Sequence, residues 1–358
     1  MNGKNFFSLG RRRVASRVLV CGLLMLFVPT HAQQAWNGPT DGPPGQRNKR
    51  ITFISYDFRN SGITGAYRGL FTAAKELGWQ LQAVDGRGNL DVIRTAFARA
   101  VEERRDGIVI GGFEIETLPG ALQLAKQSGI VLVGWHAAAN PGPNKALFTN
   151  VSSDPDDVAR LASDFVIAGA QGQIGVVIFS DDRFAIANAK AARMAQIIGE
   201  CGRCKVLAIE NIMIEQARSG VPPAVDKLNR LYGRAWTHNL AVNDAYFDAM
   251  NVALVKHGRT DIRNVSAGDG STVAISRIGS GMSQQVATVA EPSGLQGWQL
   301  ADELNRAFSG RMPSGYVSQA ILVTAPLLAS VNGNNIEFRI PYQQAYRAIW
   351  HANAVLPH

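Results

Sequence analysis

The chain is poor in cysteine and lacks a long hydrophobic run. Three of its 358 residues are cysteine, and the apolar stretch at residues 18–28 is eleven residues long. A transmembrane helix needs about 20 apolar residues, so this stretch is too short to span a bilayer. Five basic residues precede it and Thr30-His31-Ala32 follows it, which is typical of an export signal cleaved near Ala32. A retained anchor helix and a lipid attached at Cys21 remain alternatives.

The chain also lacks an extended basic segment once this signal is set aside. The formal net charge is +8, and the signal carries five Lys or Arg and no acidic residue, so residues 33–358 are near +3 (8 − 5). No run rich in Lys and Arg occurs in that part. The sequence therefore predicts no nucleic-acid partner. The remaining 326 residues (358 − 32) suit two domains better than one.

Familiar catalytic motifs are missing. The sequence has no Gly-x-Ser-x-Gly nucleophile elbow and no His-Glu-x-x-His zinc motif. Gly86-Arg87-Gly88 lacks the third glycine of a dinucleotide-binding fingerprint. We therefore expect no enzymatic activity, no cofactor and no metal ion.

Two cysteines remain after the signal, in Cys201-Gly202-Arg203-Cys204. Export places them in an oxidising compartment, where disulfides persist. A redox pair of the thioredoxin type lies at the start of a helix, whereas this pair follows a helix-like segment and precedes a strand-like one. We favour a structural disulfide in a surface turn over a redox site.

The rest of the chain alternates between strand-like and helix-like segments. Residues 33–49 are rich in Gly, Pro, Gln and Asn and are expected to form a flexible leader. From Arg50 onward, short apolar runs alternate with segments of helical periodicity, which favours an α/β fold with a doubly wound parallel sheet. A second block of the same kind begins near Val151. Two such blocks predict a groove where their strand ends face each other.

Six apolar runs end in polar, charged or aromatic residues. Because ligands bind beyond the carboxyl ends of parallel strands, these residues are candidates for one site that holds a polar small molecule. Carboxylates and amides can grip neighbouring hydroxyls, and aromatic rings cover apolar faces. Some of the acidic residues are equally suited to cap the helix that follows. The candidates are Asp57, Phe58, Asn60, Trp135, His136, Asp181, Asn243, Asp269 and Glu291.

An ordered series of motifs runs from about Arg50 to about Val323. It includes Asn60 before a helix that ends in Leu77-Gly78-Trp79, the strand Asp106-Gly107-Ile108-Val109-Ile110, Trp135-His136, Val151-Ser152-Ser153-Asp154, Asn243-Asp244, Ala267-Gly268-Asp269-Gly270 and residues 286–291. In this order the motifs resemble the ribose-type, or type I, periplasmic sugar-binding proteins of ABC transporters. The resemblance implies two doubly wound lobes joined by a hinge of three segments. One lobe would contain residues 50–150 plus 293–322, and the other residues 151–292 plus 323–358.

The resemblance also implies a function. Such a protein binds a sugar, polyol or related polar molecule in the cleft between its lobes and delivers it to an ABC permease in the inner membrane. We accordingly expect a monomer in the periplasm. A ligand-sensing partner of a membrane chemoreceptor or sensor kinase is the main alternative. An exported α/β enzyme is less favoured, and a regulator of the lactose-repressor family would need a helix-turn-helix at the start of the chain.

Several positions depart from the pattern of the family. Trp135-His136 stands where members that bind pentoses commonly have Asp-Arg, and Glu291 stands where a Gln is common. An Arg usual near the start of the second lobe's first long helix falls at about Asn188. The ligand class therefore stays open between a neutral sugar, a polyol and an amine-bearing molecule.

Overall fold

The structure, a computed structural model, describes residues 35–331 and 336–352. The predicted signal peptide, residues 1–32, lies outside the described residues. Within the two described ranges, no helix is both long and apolar enough to cross a membrane. The described chain forms two α/β lobes, each built on its own sheet.

The first lobe is built on five parallel strands. They are β1 (Arg50–Ser55), β2 (Gln80–Asp85), β3 (Gly107–Gly111), β4 (Val131–Trp135) and β5 (Thr149–Val151). Their order in the sheet is β2-β1-β3-β4-β5. Helices α1 (Ser61–Leu77), α2 (Leu90–Glu102) and α3 (Pro119–Gln127) follow the first three strands.

The second lobe repeats this plan with six strands. The helices and strands of the rest of the chain, of which α9 and α11 pack on the first lobe, are in chain order α4 (Pro155–Gly169), β6 (Ile174–Ser180), α5 (Ala185–Glu200), β7 (Cys204–Asn211), α6 (Ala217–Tyr232), β8 (His238–Ala241), α7 (Ala245–Lys256), β9 (Arg263–Ser266), α8 (Thr272–Ser280), β10 (Gln285–Ala290), α9 (Ser293–Phe308), β11 (Ile321–Thr324), α10 (Ala325–Val331) and α11 (Tyr342–Trp350). The sheet order is β11-β10-β9-β8-β6-β7. All its pairings are parallel except that of β11 with β10. The predicted doubly wound fold with two lobes is confirmed.

Helices cover both faces of the first sheet. Phe53 packs on one face with residues of α1, α9 and α11, whereas its neighbour Ile54 packs on the other face with residues of α2 and α3. Successive side chains of a strand point to opposite faces, so a strand buried on both faces reads as a continuous apolar run. This is why residues 51–54 were recognisable as a buried parallel strand.

The segment expected to be a flexible leader is held against the first lobe instead. The Gln46 N–H donates a hydrogen bond to Asn305 Oδ1 at 2.8 Å, and the Gln46 carbonyl accepts one from Trp79 Nε1 at 2.6 Å. The Asn305 side chain also donates to the carbonyl of Pro43 at 3.1 Å. Pro and Gly limit helix and strand formation, but their carbonyls remain free to accept hydrogen bonds from side chains.

The end of the chain also differs from the expectation that residues 323–358 belong to the second lobe. Strand β11 and helix α10 do lie on the second sheet. Helix α11, however, packs on the first lobe, where Trp350 stacks on Trp298 at a ring-centroid distance of 5.4 Å. The cause is the apolar face of α11, formed by Tyr342, Tyr346 and Ile349 together with Trp350, which needs an apolar partner surface.

In consequence the lobes are connected differently from the expected hinge of three segments. Among the described residues, the chain changes lobe at 152–154, at 291–292, at 309–320 and between Val331 and Tyr342. The third passage lies before β11, slightly earlier than the predicted position near Leu322-Val323. The fourth passage has no counterpart in the sequence-based prediction.

Candidate functional site

A cavity of about 60 Å³ lies between the two lobes, beyond the carboxyl ends of their strands. The first lobe contributes the loops after β1, β3 and β4. The second contributes α5 and the loops after β7, β8 and β9. The polar and aromatic lining residues are Tyr56, Asp57, Asn60, Trp135, His136, Phe184, Lys190, Glu215, Asn243 and Asp269. With the lobes in this arrangement, the cavity fits only a small molecule.

The loop after β1 presents an acid and an amide. The Asp57 carboxylate is buried and forms an ion pair with the Arg59 guanidinium at 2.5 Å. Burial by itself would raise the pKa of Asp57, but the hydrogen bonds from Arg59 outweigh burial and lower it. Asn60 caps helix α1, because its Oδ1 accepts a hydrogen bond from the Gly62 N–H at 2.9 Å. Both side chains are therefore fixed before any ligand arrives.

The carboxyl end of β4 and the residue after it present two stacked rings. The rings of Trp135 and His136 lie 3.9 Å apart and 5° from parallel. The Trp135 indole N–H donates to Gln296 Oε1 at 2.7 Å, and the Gln296 amide donates to Ser318 Oγ at 2.9 Å. Since Gln296 lies in the first turn of α9 and Ser318 belongs to the third passage between lobes, the position of Trp135 is tied to the hinge.

A buried group of charges lies at one side of the cavity. Lys190 Nζ of α5 donates to Glu291 Oε1, and His136 Nε2 lies 3.0 Å from Glu291 Oε2. All three side chains are nearly inaccessible. Burial would raise the pKa of Glu291, but the positive charges of Lys190 and His136 outweigh it and hold this pKa at about 2. Glu291 is therefore ionised at neutral pH and fixes the Lys190 ammonium at the cavity wall.

Asp269 also lines the cavity, and the charges of Lys190, Glu291 and His136 act on it. Its Oδ2 accepts hydrogen bonds from Asn243 Nδ2 at 2.6 Å and from Ser61 Oγ at 3.4 Å. Ser61 belongs to the first lobe, so this contact crosses the cleft. Burial raises the pKa of Asp269 to about 6, and the neighbouring negative charge of Asp244 adds to the effect.

A cleft between two α/β lobes, lined by polar strand-end residues from both, corresponds to a recognised family. The family model described as "Periplasmic binding protein domain" matches residues 51–312, which is 262 of the 358 residues. The chain belongs to the periplasmic binding proteins. The family consists of solute-binding receptors and is not a family of enzymes.

Solved structures of ABC transporter solute-binding proteins share the fold of this periplasmic binding protein. A 5-methylthioribose-binding protein from Thermotoga lettingae, in complex with 5-methylthioribose, has a TM-score of 0.73 at 18% identity and covers 87% of this chain and 100% of its own. A protein from Agrobacterium vitis with bound allitol has a TM-score of 0.69 at 18% identity, covering 80% and 98%. The Caulobacter myo-inositol-binding protein has a TM-score of 0.69 at 18% identity, covering 80% and 96%. No curated protein sequence matches the chain.

The two lobes of this periplasmic binding protein touch in front of the cavity through an interlobe clasp, formed by Tyr56 and Glu114 of the first lobe and Arg183, Phe184 and Ala185 of the second. Arg183 donates to the Tyr56 hydroxyl at 3.0 Å, and the rings of Tyr56 and Phe184 meet edge to face at 5.1 Å. Glu114 Oε1 accepts a hydrogen bond from the Ala185 N–H at 2.8 Å. These contacts join the lobes in a closed arrangement.

The structure brings six of the nine predicted residues to the cavity wall: Asp57, Asn60, Trp135, His136, Asn243 and Asp269. Phe58 was expected to cover the ligand, but its ring packs on Phe53 and Tyr67 instead. Asp181 lies behind the wall, where it holds Arg183 and accepts a hydrogen bond from the Ile214 N–H at 2.9 Å. Glu291 supports the wall through its contacts with Lys190 and His136.

Four polar or aromatic lining residues were not predicted from the sequence: Tyr56, Phe184, Lys190 and Glu215. Lys190 had a detectable signal, because it shares a helical face with the apolar residues Ile186, Ala187 and Met194 and is buried with them. A lysine on the apolar face of a helix needs a partner. Tyr56, Phe184 and Glu215 gave no such signal. Glu215, for example, contacts Arg183 only because the fold of the second lobe brings the two together.

The cysteine pair takes the position expected from the sequence. Cys201 follows α5 and Cys204 begins β7, and the two are joined by a disulfide with a Cα–Cα distance of 5.2 Å. In the part of the chain that the structure describes, no group of three or more His, Cys, Asp or Glu residues is arranged to hold a metal ion.

Proposed function

We propose that this protein is the extracytoplasmic solute-binding receptor of an ABC importer. It binds a small polar molecule, a sugar, polyol or close derivative, in the cleft and delivers it unchanged to a permease in the inner membrane. The observation that carries the proposal is the cavity between the lobes, because both lobes supply hydrogen-bonding groups and aromatic rings to it.

The chemistry of the wall supports a polar ligand. Asp57, Asn60, Asn243 and Asp269 offer carboxylate and amide groups, which bind hydroxyls strongly when the site is closed to water. Tyr56, Trp135 and Phe184 offer ring surfaces for apolar C–H groups. A cleft lined on both sides by binding groups favours the closed state when the ligand is present, because only that state makes all the contacts.

The interlobe clasp supports delivery by opening and closing. Its contacts are few and lie at the front of the cleft, so together with the ligand they favour closure without fixing it permanently. Opening of the lobes would break the hydrogen bonds of Arg183 with Tyr56 and of Ala185 with Glu114. A receptor that must release its ligand to a permease needs such a reversible contact.

The proposal is tested by filling the cavity. Ala187 lines it from α5, so Ala187→Met places a longer side chain in the space of the ligand. We expect sugars or polyols to bind the wild-type protein in isothermal titration calorimetry and Ala187→Met to lose most of that binding. Ala189→Met, on the same helix but away from the cavity wall, is the matched control. Equal affinity of the wild type and Ala187→Met would refute the cleft as the binding site.

A further inference from the structure

Acidic side chains at the cleft differ in whether a cation neutralises them. Asp57 pairs with Arg59 at 2.5 Å, and Asp181 and Glu215 both pair with Arg183, at 2.5 and 2.7 Å. Glu291 pairs with Lys190. Each of these carboxylates therefore has a positive partner within the protein.

Asp269 is the exception. Among the described residues, no Lys, Arg or His nitrogen lies within the 4.0 Å of an ion pair from its carboxylate. Its hydrogen-bond donors are the neutral groups of Asn243 and Ser61. Lys190 is the cation whose charge lowers the pKa of Asp269 most, but its ammonium group already donates to Glu291. Asp269 therefore faces the cavity with a charge that the protein leaves unneutralised.

The surroundings of Asp269 make that charge costly. Two further carboxylates, Asp244 and Glu291, face it with the same sign, and burial raises its pKa to about 6. An ionised carboxylate that is removed from water without a cationic partner destabilises the protein. At neutral pH this cost falls when a positive group enters the cavity.

The rest of the wall suits a small cation as well. Tyr56, Trp135 and Phe184 line the same cavity as Asp269, and the faces of aromatic rings attract ammonium groups. Asp57 and Glu215 also line it, but they pair with Arg59 and Arg183, and the two lining bases, Lys190 and His136, both contact Glu291. Asp269 is therefore the lining acid whose charge stays without a cationic partner. The electrostatic potential of the cavity therefore favours a positive ligand over a negative one.

On these grounds we propose that the ligand is an amine-bearing polyhydroxylated molecule whose ammonium group pairs with Asp269. This inference rests on the proposed function, because it assigns a chemical class to the ligand of the same cleft. The hydroxyl groups of the ligand bind Asn60 and Asn243, and its ammonium group supplies the cation that Asp269 lacks.

Two other arrangements satisfy Asp269 and make different predictions. A neutral polyol can donate two hydroxyl hydrogen bonds to the carboxylate, which leaves the charge in place but hydrogen-bonded. Alternatively, Asp269 holds a proton and itself donates to the ligand. In both cases an added ammonium group on the ligand gives no advantage.

The test uses matched pairs of probes that differ in one amine: glycerol and serinol, sorbitol and glucamine, glucose and glucosamine, galactose and galactosamine. Binding to the purified protein is measured by isothermal titration calorimetry at about pH 7.5, where glucosamine and its relatives retain much of their positive charge. We expect the amine member of a pair to bind at least about 10-fold more tightly than its neutral member. In Asp269→Asn, the amine should lose about 30-fold or more, and the neutral member less than about 5-fold.

Asp57→Asn is the matched control, because Asp57 is an acid of the same cavity that already has a cation, Arg59. This variant should weaken the two members of a pair by the same factor. A selective loss of the amine in Asp57→Asn and not in Asp269→Asn would overturn the assignment of the ammonium to Asp269.

A pH series gives an independent reading. The groups that face Asp269 are Asp244, Lys190, Glu291 and His136. Amine binding should strengthen as the pH rises from about 5 to about 7.5, since Asp269 loses its proton in that range, and the Asp269→Asn variant should lack this component. The same pH dependence in the variant would assign it to another group and contradict the proposal.

The outcomes separate the inference from the proposed function. If the neutral member of each pair binds as tightly as the amine and Ala187→Met abolishes that binding, the function stands and the amine assignment is wrong. If none of the eight probes binds, or if binding does not respond to Ala187→Met, the proposed function is contradicted together with the inference.

Discussion

At the scale of single residues, the side chains around this cleft affect stability mainly because they carry charge in buried positions. Lys190 and Glu291 are both almost inaccessible, and each satisfies the other. Breaking such a pair from one side leaves a buried charge without a partner, which costs more than removing both partners together. The pair therefore holds the wall of the cavity in place, and its contribution can be measured by comparing single and double variants.

Lys190→Met should lower the free energy of unfolding by about 3–5 kcal/mol, because it leaves Glu291 buried with only His136 beside it. The double variant Lys190→Met/Glu291→Gln should recover most of that loss. Urea denaturation at about pH 7.5 measures both values. If the double variant is as unstable as the single one, the loss comes from packing and not from the uncompensated carboxylate.

The raised pKa of Asp269 also predicts a change in stability with pH. The folded protein holds the Asp269 proton up to about pH 6, whereas the pKa of an aspartate in the unfolded chain is about 3.8. The folded state therefore binds more protons than the unfolded state between these values, and this group makes the protein less stable as the pH rises through them. The contribution is up to about 3 kcal/mol.

In the variant Asp269→Asn this contribution is absent. The difference in unfolding free energy between the variant and the unliganded wild type should therefore shift in favour of the variant from about pH 4 to about pH 6.5. Denaturant titrations at several pH values give this difference. A difference that stays constant across the range would show that Asp269 titrates normally in the folded protein.

At the scale of residues, the position of a side chain at the end of a strand was the most useful sequence signal. Asp57, Asn60, Trp135, His136, Asn243 and Asp269 all lie at or shortly after the end of a strand, and all reach the cavity. Phe58 shows the limit of this rule, because its ring is drawn into the core by Phe53 and Tyr67, which lie elsewhere in the chain. Contacts of that kind depend on packing between elements and leave no local pattern.

Among the elements, helix α5 both lines the cavity and takes part in the contacts that hold the two lobes closed. Its first N–H group, that of Ala185, donates a hydrogen bond to Glu114 of the first lobe at 2.8 Å. Phe184, the N-cap residue of α5, makes no capping hydrogen bond with its side chain. The carboxylate of the other lobe therefore takes the place of a local cap, at the positive end of the helix dipole.

Glu114→Ala should weaken ligand binding about 3- to 10-fold, because it removes a hydrogen bond that only the closed arrangement contains. The ligand should dissociate faster, and the rate of association should change little. Stopped-flow measurement of tryptophan fluorescence with the best-binding probe gives both rates. Glu116→Ala, an exposed acid two residues away, should behave as the wild type; a similar loss in both variants would contradict the clasp.

Helix α11 shows how an element at the end of the chain completes the first lobe. The Tyr346 ring lies among Trp36, Trp298 and Trp350, at centroid distances of 5.5, 6.5 and 5.6 Å. Its hydroxyl oxygen is buried and, among the described residues, has no hydrogen-bond partner. The ring and the hydroxyl therefore contribute to stability in opposite directions.

Tyr346→Phe should leave the free energy of unfolding unchanged or raise it by up to about 1 kcal/mol, because it removes a buried polar atom that lacks a partner. Tyr346→Ala should lower the same quantity by about 3–5 kcal/mol through the cavity that it creates. Guanidinium denaturation compares the two variants. A loss above about 1 kcal/mol in Tyr346→Phe would show that the hydroxyl is hydrogen-bonded in solution.

The order of strands and helices was predictable because each element has its own period in the sequence. The lobe on which α11 packs was not predictable in this way. Its apolar face, with Tyr342, Tyr346, Ile349 and Trp350, indicates that the helix packs on something but not on which lobe. The choice depends on the aromatic surface around Trp298, which forms only when the lobe has folded.

As a whole molecule, the protein is two α/β lobes that enclose a small polar cavity and are joined by several passages of the chain. The first and third passages meet below the cavity, where Ser153 and Ser318 lie 3.3 Å apart and Gln296 binds both. Gln296 also holds Trp135 at the cavity wall. A change in the angle between the lobes therefore alters the position of Trp135 at the cavity wall.

The most direct test of the central claim is a thermal-shift screen of the wild-type protein and Ala187→Met against sugars, polyols and their amino derivatives. A ligand of the cleft present at about 100 times its dissociation constant should stabilise the wild type by about 2.7 kcal/mol and raise its melting temperature clearly. The same compound should have almost no effect on Ala187→Met relative to that variant's own baseline. No stabilising compound in the panel, or an equal shift in both proteins, would contradict the account of the cleft as a receptor site.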